Sequence, residues 1–140
     1  MASVGALPRS RRLILDAGAI LAVARGDGVA RAALERARRE GYVVVIPTPV
    51  LAQVHRGGRD RAGVDRVVKA VDALLPTSAQ AARRAGELLA QSGTSDAVDA
   101  IVAAEALLSA PALVLTSDAR DIMLLIEGQP DAAAVRVIAI

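Results

Sequence analysis

RRLILDAGAILAVAR, Arg11–Arg25, decides the fold. The apolar run Leu13–Leu15 reads as a buried strand. Asp16 stops it, and the segment that follows reads as a helix with a glycine in its first turn. The same alternation continues along the chain. Asp27 is placed to cap a helix over Val29–Glu40, with Gly41 ending it. YVVVIP (42–47) is β-branched and closes on Pro47, so it reads as a second strand. Thr48 then reads as a cap, with Pro49 at the first helical position, opening a short helix through Val54. Arg56–Gly63 reads as a basic, glycine-punctuated loop, Val64–Ala70 as a helix and Ala73–Leu75 as a short strand. Thr77 or Ser78 caps a helix reaching Gln91, which Ser92 and Gly93 break. LVLTSD (113–118) holds another buried strand, turning at Thr116. Ala119–Glu127 is a helix and Val135–Ile140 a last strand. Strands alternating with helices imply an α/β fold with a parallel sheet.

One helix poses a problem. TSDAVDAIVAAEALL (94–108) is apolar enough after Asp99 to lie in the core, yet it opens on two carboxylates three residues apart, Asp96 and Asp99. Ligands of open parallel sheets bind outside the carboxyl ends of the strands. Asp16 ends the first strand and Asp118 follows LVLTS, with Asp121 one turn later. Asp96 and Asp99 open a helix leading back to the sheet. Five acids therefore converge on one edge. Setting them aside leaves 17 basic residues against 10 acidic, an acidic pocket in a basic chain. Crowded carboxylates repel unless a cation lies among them. Oxygen donors favour Mg²⁺ or Mn²⁺ over zinc, and a basic surround suits a phosphodiester chain. The competing reading is local. Asp96-x-x-Asp99 and Asp118-x-x-Asp121 each fit a helix cap with an acid in the first turn, and Asp16 also fits a cap. For Asp96 alone the cap is the better reading.

Composition narrows the chemistry. The chain has 140 residues, 54% of them hydrophobic, with no Phe, Trp or Cys. Tyr42 is the only aromatic, so the core is built from Ala, Val, Leu and Ile. Disulfides and thiolate metal sites are excluded. With His55 as the one histidine, a structural zinc site has too few ligands, and a Ser-His-Asp triad would depend on His55 alone. His55, on a short helix before a loop, reads as exposed. No apolar run spans a membrane, and MASVGALPRSRR lacks a signal-peptide core. The expectation is a cytoplasmic protein. All basic residues but Lys69 are arginine. This suits phosphate contact, though GC-rich coding produces the same bias. Gly26-Asp27-Gly28 is no dinucleotide fingerprint, a P-loop is absent, residue 18 rules out Asp-x-Asp, and Lys69 is misplaced for a phospho-receiver.

Four segments in order resemble the motifs of PIN-domain ribonucleases: LILDAGAILA, VIPTPVLAQVHR, DAIVAAEAL and LVLTSDARDI. Chain size resembles the toxin half of VapBC-type toxin–antitoxin pairs. The resemblance implies one PIN-like three-layer α/β/α domain over 1–140 with a central parallel sheet, 1–11 forming a flexible extension. It makes Asp16, Asp99 and Asp118 the catalytic, metal-binding core for Mg²⁺ or Mn²⁺, with Asp96 and Asp121 supporting. Gln53, Thr116 and Ser117 would line the site, and Arg56, Arg59 and Arg61 would hold the RNA backbone. The implied partners are an RNA substrate, a small cognate antitoxin and a second copy of the chain, with no membrane. Gln53 stands where the family usually carries glutamate. An amide supplies neither charge nor a base, so a catalytically weak PIN-like module binding RNA or a protein is the alternative. A plain α/β interaction domain whose aspartates only cap helices is the third reading.

Overall fold

The computed structural model describes residues 11–140. The extension expected over 1–11 thus lies outside the described residues except for Arg11. That residue is held: its carbonyl accepts from the Val43 amide at 2.8 Å, and its guanidinium lies 4.6 Å from the Tyr42 ring centre.

Five strands form one parallel sheet: β1 (Arg12–Leu15), β2 (Val43–Pro47), β3 (Ala73–Leu75), β4 (Ala112–Thr116) and β5 (Val135–Ala139), in the order β3-β2-β1-β4-β5. Leu13–Leu15, Val44–Pro47 and all of β4 are buried, as expected of strands covered on both faces. β1 lies between β2 and β4, with Ile14 opposite both Val45 and Val114.

Helices α1 (Ala17–Ala24), α2 (Gly28–Arg39), α3 (Thr48–Val54) and α4 (Arg61–Ala70) connect β1 to β2 to β3, moving out to one side. Helices α5 (Ala79–Ser92), α6 (Ala97–Leu108) and α7 (Ala119–Ile126) belong to crossovers running back the other way, to β4 and β5. Right-handed crossovers in opposite directions place their helices on opposite faces. Accordingly α1 packs with α2 and α4, while α5, α6 and α7 pack together. This is the three-layer α/β/α arrangement. α6 lies across β1, β2 and β4. Its Ala100, Ala103, Ala104 and Ala106 are fully buried and let its backbone approach the sheet closely.

Local expectations fare unevenly. Asp27 and Ser78 cap their helices through the amides of Ala30 and Ala81. Thr48 does not cap α3: Pro47 occupies the capping position without a side-chain bond, and Thr48 is already helical. α4 starts at Arg61, three residues before the expected Val64. One cause is tertiary. A Cβ on Gly63 would lie 3.0 Å from the Ala24 carbonyl oxygen, so this glycine seats α4 against α1 instead of loosening a loop. Beside it, Asp60 pairs with Arg25 of the α1 end at 2.9 Å.

Candidate metal centre

The strand order reverses between β1 and β4. Their outgoing chains leave to opposite faces, which opens a crevice at their carboxyl ends. Asp16 and Asp118 stand on its two sides.

Asp16 is 4% exposed. Its Oδ1 accepts from the Ala19 amide at 2.8 Å, capping α1. Its Oδ2 accepts from the Thr116 hydroxyl across the crevice. Burial pushes its carboxyl above the ordinary range, and the Thr116 and Ala19 bonds oppose that rise. Thr116 ends β4 fully buried. Its Oγ1 also accepts from the Asp118 amide at 2.8 Å. One hydroxyl thereby holds both sides of the crevice.

Asp99 sits in the first turn of α6 and is 8% exposed. Asp96 caps that helix, its Oδ1 accepting the Asp99 amide at 3.0 Å. Burial, then the charges of Asp96, Asp118, Asp16 and Asp121, push the Asp99 carboxyl up to about 7. A carboxylate oxygen from each of Asp16, Asp99 and Asp118 lies within 4.8 Å of the others.

Capping explains part of this pattern. Asp16 and Asp96 are true caps. Asp118 occupies the capping position of α7 but makes no capping bond, so its exposed carboxylate remains available to the cluster. Nor does capping account for three carboxylates gathered from three separate segments. An all-carboxylate oxygen donor set fits a hard divalent cation such as Mg²⁺ or Mn²⁺, and such a charge would offset the repulsion that raises Asp99.

The remaining expected residues divide. Ser117 lies at the rim beside Gly18, where a Cβ on the glycine would come 1.8 Å from Ser117 Oγ and 2.5 Å from Ser117 Cβ. Gly18 is thus required by the turn after β4, a constraint absent from the sequence reading. Its signal was present in the glycine immediately inside a helix that follows a strand-ending aspartate. Asp121, exposed in the first turn of α7, reaches the cluster through its field on Asp99. Gln53 is half-buried on α3, a helix that packs against both α1 and α6. Arg56 and Arg59 are exposed between α3 and α4. Arg61 is exposed at the start of α4, 4.0 Å from Asp65. His55 is exposed, as expected.

Residues 13–123 match the PIN domain family, and the chain belongs to it. PIN domains are generally nucleases. Among solved structures, the chain is similar to one in VapBC2 from Rickettsia felis bound to a DNA fragment from their promoter. That match has 17% identity and a TM-score of 0.64, covering 91% of this chain and 98% of the other. It is similar also to a chain in DNA-bound VapBC from Salmonella typhimurium, at 19% identity and a TM-score of 0.63, covering 92% and 98%. No curated protein matches the chain. No helix among the described residues is long and apolar enough to cross a membrane.

Proposed function

We propose that this PIN domain is a metal-dependent endoribonuclease and the toxin component of a VapBC-like pair. The observation that carries the nuclease reading is the convergence of Asp16, Asp99 and Asp118 within 4.8 Å at the switch point of the sheet. The toxin reading rests on the two VapBC structures, which match nearly the full length of both chains. By that reading the partners are RNA, a small antitoxin and a second copy of the chain, in the cytoplasm.

Asp16, Asp99 and Asp118 would hold Mg²⁺ or Mn²⁺. Such an ion lowers the pKa of bound water and neutralises charge on a scissile phosphate. Thr116 keeps Asp16 oriented by its hydroxyl and ties the Asp118 backbone to the same point. Asp96 fixes the start of α6, and with it the direction of Asp99. Asp121 adds negative charge at the rim. Arg56, Arg59 and Arg61 would engage the RNA backbone, where guanidinium groups pair with phosphate.

Incubation of the protein with an RNA pool and Mg²⁺ or Mn²⁺ tests the activity. Cleavage should require the metal and vanish in Asp118→Asn. Cleavage that persists in chelator, or in the variant, would overturn the assignment. Gln53 supports the second reading, a catalytically weak module that binds RNA or a partner. RNA binding without cleavage at any metal concentration would favour it.

A further inference from the structure

One face of α1 floors a cavity that the metal centre does not use. Gly18, Leu21, Ala22 and Arg25 are spaced i, i+3, i+4, i+7, so they form one stripe along the helix. They line a hollow of about 540 Å³, within the size of small-ligand sites. Its two ends differ. Ser117 closes the end beside Gly18, at the rim of the metal centre and next in sequence to Asp118. Gly26 and Asp27, in the turn into α2, close the other. From Gly18 to Arg25 is about 10 Å along the helix axis, the reach of one nucleotide from its phosphate to the far edge of its base.

The lining suits a base. Tyr42 is the only aromatic in the chain, so a base entering here has no ring to stack on. Arg25 supplies a substitute. Asp60 accepts from its Nε and Nη2 at 3.3 and 2.9 Å, which fixes a guanidinium plane, and bases of single-stranded RNA stack on such planes. Asp27 supplies selectivity. Its Oδ1 accepts from the Ala30 amide at 2.8 Å, which leaves Oδ2 for a ligand. It forms no ion pair among the described residues. An ionised carboxylate accepts and never donates. Uracil presents carbonyls on both sides of a single N–H. Adenine and cytosine present an amino group beside a ring nitrogen that is itself an acceptor. Guanine alone presents adjacent donors, N1–H and N2–H. The Asp27 charge also turns phosphate away from this end, so the phosphate belongs at the other, beside the exposed Ser117 hydroxyl.

We propose that this cavity is a guanine-selecting subsite for the nucleotide adjoining the scissile phosphate. Asp27 reads the base, Arg25 stacks on it, and Ser117 marks the phosphate end. The subsite takes its substrate class from the ribonuclease reading, but it is testable without turnover. Guanine-selective binding with no RNA cleavage would keep the subsite and remove the nuclease. Metal-dependent cleavage indifferent to the base on either side of the cut would do the reverse.

Titration of the full chain with guanosine, inosine and uridine 5′-monophosphates, followed by amide NMR shifts and calorimetry, tests the subsite. Inosine differs from guanosine only in lacking the N2 amino group. The guanosine nucleotide should shift the Leu21, Ala22 and Gly26 amides. It should bind about tenfold tighter than the inosine nucleotide, with uridine weaker still. Serine caps a helix about as well as aspartate, so Asp27→Ser should keep α2 and remove the preference for guanine. Ala22→Met fills the floor and should weaken all three nucleotides. Melting scans check that both variants fold, and the wild-type comparison of guanosine with inosine needs neither. Equal binding of the three nucleotides overturns the proposal. So does a preference that survives Asp27→Ser, or the absence of any shift at these amides up to about 10 mM guanosine nucleotide.

Discussion

Thr116 and Asp16, one hundred positions apart, are joined by a buried hydrogen bond in which the threonine hydroxyl donates to Asp16 Oδ2. The threonine Oγ1 in turn accepts from the Asp118 amide. Thr116→Val keeps the shape and removes both bonds. Asp16 then loses a group that favours its charged form, and the Asp118 amide loses its acceptor. The expected result is a loss of about 1–3 kcal/mol, with weaker Mn²⁺ binding. Denaturant titration and calorimetry measure the two effects. Unchanged metal affinity would make Thr116 a purely structural partner.

The raised Asp99 carboxyl sets a pH dependence. Its ordinary value is 3.8 and its folded value about 7. Between those limits the native state keeps a proton that the unfolded chain has released, so stability of the metal-free protein falls as pH rises through that window. Burial raises Asp16 in the same direction. Melts in chelator should therefore fall from about pH 4 to pH 7, and Asp99→Asn should flatten the slope. Mn²⁺ affinity should rise over the same range, because the metal competes with the proton. Wild type and variant melting in parallel across the window would show that burial and the neighbouring charges do not raise the Asp99 carboxyl.

These results also mark how far the sequence reaches. Asp16, Asp27, Ser78 and Asp96 were legible as caps because a cap is a local bond to an amide three residues away. Asp118 has the same local pattern as Asp96, yet no capping bond. Its amide is instead held by Thr116, whose hydroxyl is turned toward Asp16 of another strand. Periodicity carries no information on such a bond. Gly63 looks like a loop glycine in the sequence because its reason is Ala24, nearly forty residues earlier. Glu105 carries no signal in the sequence that sets it apart from a surface helix acid. It is buried in α6, its carboxyl raised by burial and held back by the Arg12 charge.

Gly18 makes a stringent demand on the site. An alanine there would place its Cβ 2.5 Å from Ser117 Cβ, an overlap that side-chain rotation cannot relieve. The turn after β4 must move away from α1, carrying Asp118 with it. Gly18→Ala should cost about 1–3 kcal/mol and weaken Mn²⁺ binding. Adding Ser117→Gly removes the obstructing side chain and should recover part of both. Additive effects in the double variant would place the strain elsewhere.

Gln53 decides between the two functional readings. α3 follows β2 at the carboxyl edge of the sheet, and it packs against both α1 and α6. Those two helices begin beside Asp16 and Asp99. The family resemblance puts glutamate at this position, and the half-buried amide of Gln53 keeps nearly the same shape with one charge fewer. Gln53→Glu adds a carboxylate on the helix that packs against α1 and α6, where burial and the neighbouring aspartates already push Asp99 up to about 7. Metal-free stability should fall slightly through repulsion, and Mg²⁺ affinity should rise roughly tenfold. If the nuclease is held back by this one missing carboxylate, RNA cleavage at limiting Mg²⁺ should rise with it. Calorimetry and cleavage, measured together on wild type and variant, separate the outcomes. Tighter metal with no gain in cleavage favours the binding module. Equal affinity and equal cleavage would mean that Gln53 faces away from the cluster and that the glutamate of the family motif has no counterpart here.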